Sequence, residues 1–164
     1  VMSDLCGLDA NAFPHGTDGC GIPTLATPLK RLAQAMAAMA DPSRLSSKRA
    51  DAAQRIRAAM NAEPFMVAGS GRFCTRINEA APGVIQVKTG AEGVFCGMLP
   101  TLGLGVAIKM WDGAGRASEI AMAALLHHLG VLPANQREEI LRPPVKNVVG
   151  LLVGEMRPAK SWLG

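Results

Sequence analysis

The stretch from Gly83 to Trp111, "GVIQVKTGAEGVFCGMLPTLGLGVAIKMW", constrains the fold more than any other part of the chain. Three short apolar runs rich in valine, isoleucine and phenylalanine are separated by "KTGAE" and "LPTLG". Connections this short join antiparallel neighbours, because parallel strands need a crossover of a dozen residues or more. The spacing therefore predicts a three-stranded meander. Directly after it, "GRASEIAMAALLHHLG" repeats apolar residues at helical intervals, with Ile120, Ala124, Leu125 and Leu129 inward and Gly130 placed as a C-cap.

Two helices are predicted ahead of the meander. Thr27 is placed to cap the first and Pro28 suits its first turn; Leu29, Leu32, Met36 and Met39 then recur at helical spacing until Asp41-Pro42 stops it. The second runs from about Ser47 to Asn61, with Ala53, Ile56 and Met60 spaced as an inward face. Residues 1–24, rich in Gly, Pro, Asp and Cys, read as an extended segment with tight turns, and "FMVAG" is a further short apolar piece. Behind Pro143-Pro144, "VVGLLVG" adds one more strand. Helices, then antiparallel strands, then a closing helix make an α+β fold, an antiparallel sheet flanked by helices. At 164 residues the chain fits one domain with a core of its own.

Several function classes fall away. No run of 18 apolar residues and no basic-then-apolar leader occurs, so neither a membrane span nor a secretory peptide is read, and a cytoplasmic protein is expected. The basic residues gather in the stretch "SRLSSKRADAAQRIRAAM", where Arg44, Lys48, Arg49, Arg55 and Arg57 read as a solvated face, with an anion-binding surface as the alternative. With four Phe, two Trp and no Tyr, that face has no aromatic interleaving for stacking bases, so nucleic acid is not expected as a partner. No glycine-rich dinucleotide loop follows a strand, and no nucleotide is implied. Cys6, Cys20, Cys74 and Cys96 contain no C-x-x-C pair and read as buried thiols, with Cys6, Cys74 and Cys96 as small buried hydrophobes; His127 and His128 read as flank residues near a helix C-terminus.

Two clusters carry chemistry. Lys88 ends a strand and is followed by Thr89 and Gly90; alone, that tripeptide is most often a solvated strand terminus. Asp18, Gly19, Cys20 and Gly21, followed by Pro23, place a carboxylate and a thiol in one turn, and alone they read as an Asx-type turn with a buried cysteine. The "KTG" triad also resembles that of penicillin-recognising serine enzymes, where a cation on an edge strand faces the nucleophile.

The blocks "GTDGCGIPTLATPLKRLA", "VAGSGRFCT", "VKTGAEGVFC", "GLGVAIKMWDGAGRASEIAMAALLHHLG" and "VVGLLVGEMRP" resemble, in order, the C-terminal half of the bacterial L-asparaginase II family found also in rhizobia. The resemblance implies the C-terminal half of a serine-β-lactamase-like fold and hydrolysis of L-asparagine to L-aspartate and ammonia. It also implies two serine–lysine pairs, with Lys88 as the lysine of the second and Asp18 beside the site; Thr89 and Gly90 are structural candidates for offering a hydroxyl and backbone N–H groups to substrate or oxyanion. A zinc ion is implied too, with Cys20 as one ligand and the others in a "CSGKH"-like segment. Neither S-x-x-K nor "CSGKH" occurs in these residues. The expectation is therefore an N-terminal half outside this chain, no amidase activity without it, a homodimer when complete, and an exposed apolar face that causes aggregation or partner dependence. Competing expectations are a related amidase or β-lactam-reactive enzyme and, in a different class, a non-catalytic binding or oligomerisation module.

Overall fold

The computed structural model of the protein describes residues 1–162. In chain order the elements are α1 (Met2–Cys6), β1 (His15–Thr17), β2 (Pro23–Leu25), α2 (Leu29–Ala40), α3 (Ser47–Ala62), α4 (Pro64–Ala68), α5 (Phe73–Ala80), β3 (Gln86–Thr89), β4 (Val94–Leu99), β5 (Leu104–Lys109), α6 (Gly115–His128), α7 (Arg137–Leu141), β6 (Pro144–Lys146) and β7 (Leu152–Glu155). The fold is α+β, and all strand pairs are antiparallel: a β3-β4-β5 sheet and two separate hairpins, β1-β2 and β6-β7. No helix among the described residues is long and apolar enough to cross a membrane.

The predicted meander is present, and its register sorts the side chains by face. Lys88 opposes Cys96, which opposes Ala107; two residues along, Gln86 opposes Met98, which opposes Gly105. Those residues share one face, because side chains alternate with period two along a strand. Helix α2 covers that face. At Gly105 the two backbones are so close that an added Cβ would stand 2.0 Å from the Ala37 nitrogen and 2.2 Å from the Ala33 carbonyl oxygen. Glycine on the strand and alanines on the helix are what permit the approach.

The opposite face holds the main core. Val87, Phe95, Val106 and Ile108 pack there with Phe73 and Ile77 of α5 and with Met122, Ala123 and Leu126 of α6. The Phe73 and Phe95 rings meet edge to face, 5.6 Å between centroids. Helix α6 ends as predicted: Gly130, at φ +71°, donates to the His127 carbonyl, and the Val131 N–H donates to the Leu126 carbonyl, closing the last turn with a left-handed glycine.

Several sequence expectations require correction. Thr27 does not cap α2; its hydroxyl donates back to the Leu25 carbonyl at 3.4 Å, and Pro28 takes the N-cap position with no side-chain cap. In α3 only Ala53 is buried, while Ile56 is half exposed, because α3 rests on its neighbours along a narrow stripe. Residues 1–24 are not all extended: Met2–Cys6 is a helix whose Cys6 enters a small second core with Phe13 and Ala35. The piece "FMVAG" belongs to helix α4, and α5 follows it; neither helix was expected. In the tail, "VVG" forms a turn instead of a strand; β7 begins at Leu152 and pairs with β6 away from the main sheet.

Candidate functional site

Lys88, Thr89 and Gly90 lie together at the end of β3, and that end is held from three directions. On its outer edge, the buried Asn78 of α5 brackets Val87: the Val87 N–H donates to Asn78 Oδ1 at 2.8 Å, and Asn78 Nδ2 donates to the Val87 carbonyl at 3.3 Å. One residue pair further on, the Thr89 N–H donates to Cys74 Sγ at 3.2 Å. Side chains of α5 thus take the hydrogen bonds that another strand would have taken. On the inner edge, Gly90 N–H donates to the Val94 carbonyl at 2.7 Å and closes the hairpin.

The third support is Lys109. It stands on the same sheet face as Lys88, at the same end, two strands away. Its ammonium donates to the Glu92 carbonyl and, at 2.7 Å, to the Met110 carbonyl. Glu92 is the one described non-glycine residue in the left-handed region, at φ +54°, a conformation disfavoured by contact between its Cβ and the backbone. Lys109 therefore pins a turn that the local sequence alone favours only weakly.

On the α2 side, Lys88 borders a groove of about 610 Å³ whose walls are mostly methionine: Met36 and Met39 of α2, Met60 of α3, Met66 of α4 and Met98 of β4, with Glu63 at its margin. The Lys88 ammonium donates to the Thr89 carbonyl at 2.7 Å and has no ion pair among the described residues. The arrangement offers one cation at the rim of an apolar trough, with the Thr89 hydroxyl turned to the Gly90 carbonyl at 3.2 Å.

Thiol behaviour around this strand follows burial. Burial pushes the Cys74 thiol up, partly opposed by the Thr89 N–H and the Lys88 ammonium. Cys96, directly across from Lys88, is pushed up to about 11 by burial. Cys6 is also raised by burial, with Arg31 pulling the other way. Cys6 and Cys74 are buried as expected, whereas Cys96 is only half-buried.

Asp18 and Cys20 sit in the turn between β1 and β2. Asp18 Oδ1 accepts the N–H groups of Cys20 at 2.8 Å and Ile22 at 3.2 Å, and the Gly21 N–H donates to the Asp18 carbonyl. This is a self-closed Asx turn, but Cys20 is exposed, not buried. Among the described residues no hydrogen bond or ion pair joins this turn to Lys88. The structure therefore brings the predicted residues together as two groups, Lys88-Thr89-Gly90 and Asp18-Cys20.

A zinc ion needs three or four converging donors. Among the described residues no group of three His, Cys, Asp or Glu is placed to hold a metal, and Asp18 Oδ1 is already taken by backbone donors. These residues alone do not fit a zinc site.

Sequence reasoning missed Asn78, Cys74 and Lys109. For Lys109 a signal existed: it ends "GVAIK" as Lys88 ends "VIQVK", and antiparallel strands joined by one intervening strand run the same way. For Asn78 and Cys74 no local signal exists, since their partners lie nine and fifteen residues along the chain.

A comparison with curated proteins finds no match. A family model described as L-asparaginase II matches residues 1–158, nearly the whole chain. With the "DGC" turn, the "KTG" strand end and the helix that follows the meander all inside that match, the protein belongs to the L-asparaginase II family.

Proposed function

We propose that this chain supplies the lysine side of an amide-hydrolysing site that converts L-asparagine to L-aspartate and ammonia. The observation that carries the reading is the family match over residues 1–158, within which Lys88 has no ion pair among the described residues and stands at a strand end fixed by Asn78, Cys74 and Lys109. A serine hydroxyl is a weak nucleophile at neutral pH and needs a base beside it. In the proposed reaction such a hydroxyl attacks the substrate carboxamide while an amine accepts its proton; ammonia leaves with a returned proton, and water releases aspartate from the ester. Lys88 is the amine on this chain. A second cation held beside it would favour the neutral form that takes the proton.

The sequence contains no S-x-x-K, so the nucleophile in this reading comes from polypeptide outside residues 1–164. The Thr89 hydroxyl is the polar side-chain group next to Lys88 along the strand, and a substrate contact is assigned to it; the expected contribution of the Gly90 N–H is withdrawn, because that group already donates to the Val94 carbonyl, and Gly90 is left as backbone lining the strand end. Asp18 shapes the turn that presents Cys20. Cys20 would be a single zinc donor whose companions also come from outside; the exposed thiol is free to serve. No reaction step is routed through that metal.

The test is ammonia release from L-asparagine by a protein carrying these residues together with an S-x-x-K segment, against its Lys88→Met variant. The reading expects turnover of asparagine, none of a chromogenic β-lactam, and a fall of at least about a hundredfold in the variant. Unchanged turnover in the variant would remove Lys88 from the reaction.

A further inference from the structure

Three segments distant in sequence bring basic side chains to one cleft. His127 and His128 come from the end of α6, Arg142 from just beyond α7, and Arg157 and Lys160 from the tail that follows β7; together they line a depression of about 450 Å³. Among the described residues no carboxylate lines it. The nearest acids, Glu138 and Glu155, are spent on single ion pairs with Arg142 at 3.4 Å and Arg157 at 3.8 Å, and both arginine side chains remain more than half exposed. At the end of α6 the Leu126 and His127 carbonyls, which would otherwise repel an anion, are covered by the N–H groups of Val131 and Gly130.

A second depression, of about 660 Å³, adjoins the first and shares Arg157, Pro158 and Trp162 with it. Its walls are mostly apolar, with Met110, Ile120 and Met156 among them, and besides Arg157 it carries one charge of each sign, Arg116 and Glu155. The Trp162 indole lines both depressions and is 41% exposed, so part of a flat, electron-rich ring is open to a ligand. A basic pocket joined through an aromatic platform to an apolar one matches a ligand with a multiply charged anionic end and a planar body.

We propose that this double cleft binds a nucleoside polyphosphate, the phosphates held by Arg142, Arg157 and Lys160 and the base laid on Trp162. Arginine forks suit phosphate oxygens, and base–indole stacking adds affinity without a sequence motif. The absence of a glycine-rich loop is no objection, since the donors here are side chains gathered by tertiary structure. The site is separate from Lys88 and does not depend on the amidase reading.

The chain has two tryptophans, and Trp111 is fully exposed, so a Trp111→Phe variant leaves Trp162 as the single fluorophore. Titration of that variant with ATP is expected to give a saturable fluorescence change at sub-millimolar concentration. Tripolyphosphate should compete, and adenosine alone should bind far more weakly. Combining Arg142→Gln, Arg157→Gln and Lys160→Gln is expected to weaken ATP binding at least about tenfold with circular dichroism unchanged. Raising salt should weaken binding by the parent protein. No saturable change up to millimolar ATP, adenosine binding as tight as ATP, or affinity indifferent to salt would each overturn the proposal.

Discussion

Lys88 is held where it is by residues that never touch it, and the most informative of these is Asn78. Its amide satisfies both the N–H and the carbonyl of Val87 in the dry interior. Asn78→Ala would strand two buried backbone groups and is expected to cost about 3 kcal/mol of stability, measurable as a lowered denaturant midpoint. Asn78→Asp, which keeps the acceptor and loses the donor, should also destabilise. At the turn, Lys109→Met removes the ammonium that joins the Glu92 and Met110 carbonyls, and faster amide exchange over Gly90–Gly93 is the expected result.

The cysteines give a pH-dependent test at the same scale. A thiol reagent at pH 8 should modify exposed Cys20 first, with Cys6, Cys74 and Cys96 reacting only as the protein opens. For Cys96 the folded value, about 11, lies above the ordinary thiol value of about 8.5. Its contribution to stability is therefore complete below about pH 8.5 and is lost as pH rises towards 11. Cys96→Ala should reduce the steepness of alkaline unfolding across that window; an unchanged profile would show that Cys96 does not contribute.

Among the elements, α2 and β5 meet backbone to backbone at Gly105. Gly105→Ala would drive a methyl group into the backbone of Ala33 and Ala37, neither of which has a flexible side chain to yield. A loss of about 3 kcal/mol is expected, with α2 displaced from the sheet. Gly103, whose Cβ would meet open space but whose φ is +62°, is the useful contrast, since substitution there is limited to local backbone strain.

How much of this was readable from sequence depends on whether the cause is local. The meander was legible because turn glycines at short spacing leave antiparallel pairing as the direct solution, and α6 was legible because its stripe and its Gly130 end agree. Helix α2 was legible in extent, yet its start was misassigned: Thr27 has a cap-forming hydroxyl, but the chain turns so that the hydroxyl meets Leu25. Helices α1 and α4 have five residues each, too short to be stable alone, and α5 has eight. Helices α1 and α5 exist through burial of Cys6, Phe73 and Ile77 against partners elsewhere, and α4, with no fully buried residue, through its half-buried Val67 and Ala68 on the main core, none of which a window of sequence displays. The grouping of Lys88 with the methionine trough was likewise invisible, although Met36 and Met39 were recognised as one stripe.

At the scale of the whole molecule, surface area is the leading fact. The chain exposes 9932 Å², whereas a compact monomer of 17.1 kDa is expected to expose about 7,800 Å². Much of the apolar share lies on the β6-β7 hairpin, where Val148, Val149, Leu151, Leu152 and Val153 are all more than half exposed. A two-stranded ribbon with apolar side chains in water is marginal alone and sticky towards other surfaces. The isolated chain is expected to associate with rising concentration, and replacing Val148, Leu151 and Val153 with serine should shift its sedimentation towards the monomer.

The measurement that bears most directly on the central claim is ammonia release from L-asparagine under three conditions: residues 1–164 alone, the same residues joined to an S-x-x-K segment of the family, and that joined protein with Lys88→Met. The account predicts no release in the first, turnover in the second and its near-complete loss in the third. Turnover by residues 1–164 alone, or undiminished turnover with methionine at position 88, would contradict it.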